Sequence, residues 1–179
     1  MKKILLIMTL VLISFSFVNL KPLEVNANLS SISFTPATTG TQITQGDDTA
    51  GKGGTHWVVT LNFNNNTPLL QTGDKLIITF PTGFNFNSST ISITTNTIGA
   101  SFGTITKSLN VINISVIGNQ TSAGQVVVDI TNAINRIGAG KLTGIVDVKR
   151  GSSNIIHTTG EVKVIPDLIN KIVVTPNPY

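Results

Sequence analysis

Residues Thr72–Phe86 read TGDKLIITFPTGFNF, and the punctuation of this stretch decides the fold. Thr72-Gly73-Asp74 is a turn, because Gly accepts positive φ and Asp can bond its own backbone two residues on. Lys75 to Phe80 then alternates, with Leu76, Ile78 and Phe80 on one side. Pro81 has no N–H and ends the ladder. Thr82-Gly83 turns the chain again, and Phe84 and Phe86 point the same way two residues apart. The stretch is therefore a strand between two turns. Its three phenylalanines are expected to cap one end of a core, with Asp74 and Lys75 at the solvated edge.

The same period of two extends outward in both directions. Trp57, Val59, Leu61 and Phe63 alternate with Val58, Thr60 and Asn62. Ile91 and Ile93 alternate in TISITT, and Val126, Val128 and Ile130 do so further on. Leu142, Val146 and Val148 mark another strand, with Gly144 in phase between them, and Val162 and Val164 mark the last. SLNVINISVIG holds two alternating sets, Leu109/Val111 and Ile112/Ile114/Val116, whose change of phase suggests a bulge. Between these runs lie QGDDTAGKGG, NNNTP, PTG, IGNQTSAG, RIGAG and RGSSN. Short strands separated by such turn clusters predict an all-β fold, an antiparallel β-sandwich or barrel. The segment nearest to a helical pattern, Thr131 to Ile137, is too short to matter.

The chain begins with a different kind of segment. Lys2 and Lys3 precede an apolar run from Ile4 to Val18, and Val25-Asn26-Ala27 fits a signal-peptidase site. A permanent anchor needs roughly 20 apolar residues, which the run does not reach. Residues 1–27 are thus expected to be a cleaved secretory signal peptide, leaving no membrane span and a secreted or cell-surface protein. Cleavage removes Lys2, Lys3, Lys21 and Glu24, so 12 basic and 8 acidic residues become nine and seven, and the net charge falls from +4 to +2.

Charged residues make up 11% of the chain, against about 25% in ordinary soluble domains. Ser, Thr and Asn supply the polar surface instead, a usage that suits strands and turns. A nucleic-acid partner would need clustered Lys and Arg, and the largest local cluster is Lys149-Arg150, so nucleic acid is set aside. There is no Cys, hence no disulfide. An exported chain of this kind relies on core size. About 150 residues suffice, since a domain of that length buries about 70% of its unfolded surface.

One echo bears on domain organisation. Ile32-Ser33-Phe34-Thr35-Pro36 is matched 140 positions later by Ile172-Val173-Val174-Thr175-Pro176. It predicts one sandwich over residues 28–166, followed in 167–179 by a linker and the first strand of a truncated second repeat.

TGDKLIITFPTGFNF resembles the "GD-x-hydrophobic-x-ITFP-x-GF" segment of bacterial secreted and cell-surface proteins built from immunoglobulin-like β-sandwich repeats. ISFTPATTGTQITQG resembles the first-strand opening of such repeats, and VVVDITNAINRIGAGKLTGIVDVKR their late segment. Asn135-Arg136 stands where that pattern has Asn-Pro, and Leu142 where it has an aromatic. The first sandwich domain of Gram-positive adhesins has a related look. The resemblance covers most of residues 28–165. It implies an immunoglobulin-like fold and a role as spacer, adhesive module or surface-array component. Neighbouring repeats, a cell-wall or extracellular polymer, or a protein of a host or neighbouring cell would be the partners.

Little chemistry is equipped. Gly46 to Gly53 matches G-x-x-x-x-G-K but has Gly where a phosphate loop has Ser or Thr, and a Trp-containing strand follows instead of a helix. It reads as a mobile connection between strands. Asp47 and Asp48 are the metal candidates, for calcium, through hard oxygen ligands. They lack the spaced Asp/Asn pattern, and no other cofactor is indicated. His56 and His157 have no partner at zinc-ligand spacing. Asp129 and Asp147 lie within strands and are expected to face solvent. With two His and no Cys the expectation is a non-catalytic module. An extracellular carbohydrate-binding module is the alternative, although Trp57 shares the alternation of the core.

Overall fold

The computed structural model describes residues 28–41 and 44–167. The expected signal peptide and the C-terminal echo, from residue 168 on, lie outside the described residues. Nine strands form: β1 (Leu29–Pro36), β2 (Gly53–Phe63), β3 (Lys75–Thr79), β4 (Thr90–Asn96), β5 (Ser101–Ser108), β6 (Val111–Gly118), β7 (Gly124–Ile134), β8 (Gly140–Arg150) and β9 (Ser153–Val164). They make a four-stranded sheet in the order β1-β2-β7-β4 and a five-stranded sheet in the order β5-β6-β3-β8-β9. All strand pairs are antiparallel. The expected all-β sandwich is present. No helix occurs among the described residues, and Thr131 to Ile134 belongs to β7.

Alternation places the core. Trp57, Val59, Leu61 and Phe63 of β2 are buried, as are Leu76 and Ile78 of β3 and Ile112, Ile114 and Val116 of β6. Val126, Val128 and Ile130 of β7 and Val146 and Val148 of β8 complete the facing surfaces. Phe80, Phe84 and Phe86 close one end, as the opening stretch predicts. The Phe80 ring meets Phe34, Trp57 and Phe86 edge-on at centroid separations of 4.9, 5.7 and 4.9 Å. Such pairs contribute about 0.5–1.5 kcal/mol each beyond area burial.

Two readings change. SLNVINISVIG is not one bulged strand. Ser108 pairs with Val111 across a two-residue hairpin turn, with Leu109 at φ 47°. The flip in phase is the reversal of the chain. Asp74 is not at a solvated edge: it is 1% exposed, while its neighbour Lys75 is exposed. The reason lies in β8, whose last residue, Arg150, reaches across to it.

Gly144 and Gly160 face each other across β8 and β9 and leave a slot that the Phe34 ring fills. A Cβ on Gly144 would come within 2.6 Å of that ring and 2.9 Å of Val162. Gly144→Val is accordingly expected to cost roughly 1–3 kcal/mol through overpacking. Gly53→Ala, which adds its methyl to open space, is expected to stay within about 0.5 kcal/mol of the parent. Urea midpoints for the two variants test this, and equal midpoints would show that the slot is not filled.

Candidate functional site

The ends of the sandwich, where the turns lie, hold its buried polar groups. At the end closed by the phenylalanines the hub is Asn135, 2% exposed. Its side-chain oxygen accepts from Trp57 Nε1 at 2.8 Å and Thr55 Oγ1 at 3.1 Å. Its Nδ2 donates to the carbonyls of Asp47 and Thr49, both at 2.7 Å. One amide thus ties β2 and the end of β7 to the loop that precedes β2.

That loop contains both calcium candidates. It is built into the fold: Asp47, Asp48, Thr49 and Ala50 are all buried. Thr49 bridges to Ile165 just beyond β9, and the Ala50 and Ile165 amides close the contact at 2.9 Å each. Asp47 Oδ2 accepts from Thr38 N at 3.1 Å and Thr38 Oγ1 at 2.7 Å, and its Oδ1 lies 3.7 Å from Lys52 Nζ. Asp48 Oδ1 accepts from Gly40 N at 2.6 Å. These carboxylates replace the missing backbone partners of an irregular segment. No group of three or more His, Asp or Glu among the described residues could hold a metal ion. A calcium ion would have to compete with donors the fold already supplies.

Burial pushes the Asp47 carboxyl upward, but it is outweighed by the Thr38 hydroxyl, backbone hydrogen bonds at His56 and Thr38, and the Lys52 charge, so the group titrates below its ordinary 3.8. A carboxylate held low stabilises the fold above its unfolded pKa and loses that contribution as pH falls through the folded value. The stability gap between the parent and Asp47→Asn should therefore be full at neutral pH and shrink below pH 3.8. Urea denaturation at pH 7 and at pH 3 reads the difference, and a gap that widens in acid would reverse the assignment.

The opposite end is closed by two other groups. Asp74 takes Arg150 Nε on Oδ1 at 2.8 Å and Arg150 Nη2 on Oδ2 at 2.9 Å, while the Gln71 amide donates to Oδ2 at 2.8 Å. Arg150 Nη2 also reaches the Leu69 carbonyl at 2.8 Å. Gln120 Nε2 donates to the carbonyls of Asn64 at 2.7 Å and Ser122 at 3.0 Å, and its Oε1 accepts from Asn28.

Each histidine is matched to one of the two strand aspartates. His56 Nε2 lies 2.6 Å from Asp129 Oδ1 on the four-stranded sheet. His157 Nδ1 lies 2.7 Å from Asp147 Oδ1 on the five-stranded sheet. The two carboxylates therefore stand on different sheets and do not face each other. Glu161 pairs with Lys141 at 3.2 Å, and Asp167 accepts from Gln45 at 2.7 Å. All seven described carboxylates have a partner within the fold. Six of the seven described aromatic side chains are buried, and Phe102 is half-buried. No helix among the described residues is long and apolar enough to cross a membrane.

No family model matches the chain, and no curated protein does. Among solved structures the chain is similar to the crystal structure of BslA, described as a bacterial hydrophobin. The identity is 19% and the TM-score 0.46, over 76% of this chain and 100% of that one.

Proposed function

We propose that this chain is an exported structural or adhesive module of a bacterial cell surface, an immunoglobulin-like sandwich without catalytic activity. One observation carries the reading. Each described carboxylate is engaged by donors of the fold, and these sites are spread over the two sheets and their loops. An arrangement of this kind holds strands and turns in register. General acid–base work asks instead for paired or free groups converging on one reacting atom. The signal-like segment of residues 1–27 supplies export, and the sandwich supplies a rigid unit that can be repeated.

Expression of the full-length chain in a bacterial host, with cell fractionation and intact-mass measurement, tests the reading. The expected product lies outside the cytoplasm and begins at Asn28. Retention of the uncleaved chain in the cytoplasm would overturn it. A second reading, an extracellular carbohydrate-binding module, draws support from two hydroxyl-lined depressions on the five-stranded sheet rather than from any aromatic platform.

A further inference from the structure

The two outer faces of the sandwich differ in charge. The strands of the four-stranded sheet contain no Lys or Arg, and their one carboxylate, Asp129, is paired with His56. The strands of the five-stranded sheet contain Lys75, Lys107, Lys141, Lys149, Arg150 and Lys163 against Asp147 and Glu161. Three of these cations are engaged: Arg150 by Asp74, Lys107 by the Ser89 carbonyl and Lys141 by Glu161. Lys75, Lys149 and Lys163 have no carboxylate partner among the described residues. They point outward, because their neighbours Leu76, Val148, Val162 and Val164 fill the core.

Their placement works against the fold. Lys75 stands directly opposite Lys149, and Lys141 directly opposite Lys163. Like charges directly opposed across a ladder are destabilising. The packing of β3, β8 and β9 does not ask for them, since any polar side chain would serve at these outward positions. Residues that cost stability without completing the core suggest a ligand that supplies the missing charge.

The same face carries two open depressions. One, of about 370 Å³, lies along β6 and is lined by Lys75, Thr104, Thr106, Asn113 and Ser115. The other, of about 310 Å³, is lined by Lys141, Thr143, Thr159 and Glu161. Each offers hydroxyls beside an ammonium group. Lys141 and Lys149 are eight residues apart on β8, a span of about 27 Å at roughly 3.4 Å per residue. That is the length of several sugar units. A neutral glycan would leave the cations unused, and a compact anion would reach only one depression.

We propose that the outer face of the five-stranded sheet binds an acidic extracellular polysaccharide, a hydroxyl-rich chain with regularly spaced carboxylates. The sugar hydroxyls lie in the Thr- and Ser-lined depressions, and the carboxylates pair with Lys75, Lys149 and Lys163. The four-stranded face, with no free cation among the described residues, takes no part. This rests on the reading of the chain as an exported surface module and names its partner.

The test uses the full-length chain, purified from whichever cell fraction holds it. Titration with polygalacturonate, with dextran as the neutral polymer, should show saturable binding to the first alone, weakening as salt screens the contacts. Lys75→Gln/Lys149→Gln should bind about tenfold more weakly, with an unchanged or raised melting midpoint. Asn62→Ala on the opposite face should bind as the parent does. Equal affinity for dextran, equal or tighter binding to duplex DNA or to anionic vesicles, or full binding by the double variant would each overturn the proposal. Fractionation reads export separately. An exported chain that ignores the polymer removes this inference alone, whereas a cytoplasmic chain removes the reading beneath it.

Discussion

Asn135→Ala is expected to lower the stability of the sandwich by about 4 kcal/mol. The loss comes from the groups left behind. Trp57 Nε1 loses its acceptor inside the core, and the Asp47 carbonyl loses its donor. Each stranded buried group costs about 1–3 kcal/mol. Two other partners fare better, because Thr55 Oγ1 keeps the Ala133 carbonyl and the Thr49 carbonyl keeps the Lys52 amide. For a chain of this size about 4 kcal/mol moves the melting midpoint by roughly 8–16 °C. Asn135→Asp sharpens the test. It preserves an acceptor for Trp57 but turns a carboxylate oxygen toward the two carbonyls, so at neutral pH it should be at least as damaging. Thermal melts of both variants decide the matter. A loss below about 1 kcal/mol would mean that the loop before β2 relaxes and finds water for its carbonyls.

Arg150→Met is the second large effect, at about 3 kcal/mol. It leaves the Asp74 carboxylate, 1% exposed, with only the Gln71 amide among its three described hydrogen bonds. Removing one partner of a buried pair costs about 3–5 kcal/mol because an unmatched charge remains. The lower end applies here, since the Arg150 side chain is 38% exposed and its own charge is partly hydrated. Hydrogen bonding to Asp74 raises the Arg150 pKa above its ordinary value despite the opposing effect of burial. The guanidinium therefore holds its proton at every pH below its ordinary range. The double variant Asp74→Leu/Arg150→Met should recover much of the loss, because replacing both partners by apolar groups is often neutral. A double-mutant cycle in urea measures the coupling. If the two single losses simply add, the pair is not the unit that closes this end of the sandwich.

Both predictions concern residues whose importance the linear chain conceals. Asp74 sits in a Thr-Gly-Asp turn, the ordinary setting of an exposed carboxylate. It is buried because Arg150, 76 positions later, closes over it. Asn135 is one of many Asn residues, and nothing near it in sequence marks it as a hub. Its four partners come from β2 and from the loop before β2. The hairpin at Leu109-Asn110 escaped for a related reason. Two-residue turns announce themselves through Asn-Gly or Asp-Gly, and here a leucine 57% exposed takes the positive φ instead. Asp47 and Asp48 were legible as a pair of acids. Their role as substitutes for backbone partners depended on Thr38 and Gly40, which the fold brings back against them.

Alternation over a few residues sufficed to establish the β-class, the inward side of each main strand and the burial of Trp57, Phe80, Phe84 and Phe86. Such patterns are local: one face of a pleated strand must be apolar if it is to leave water, whatever it packs against. Tertiary structure alone decided which strands share a sheet, and with that the gathering of Lys75, Lys141, Lys149 and Lys163 on one face. It also decided which distant donor meets each buried carboxylate. Charges and hydrogen bonds act over a few ångströms between residues tens of positions apart, so their partners exist only once the chain has closed.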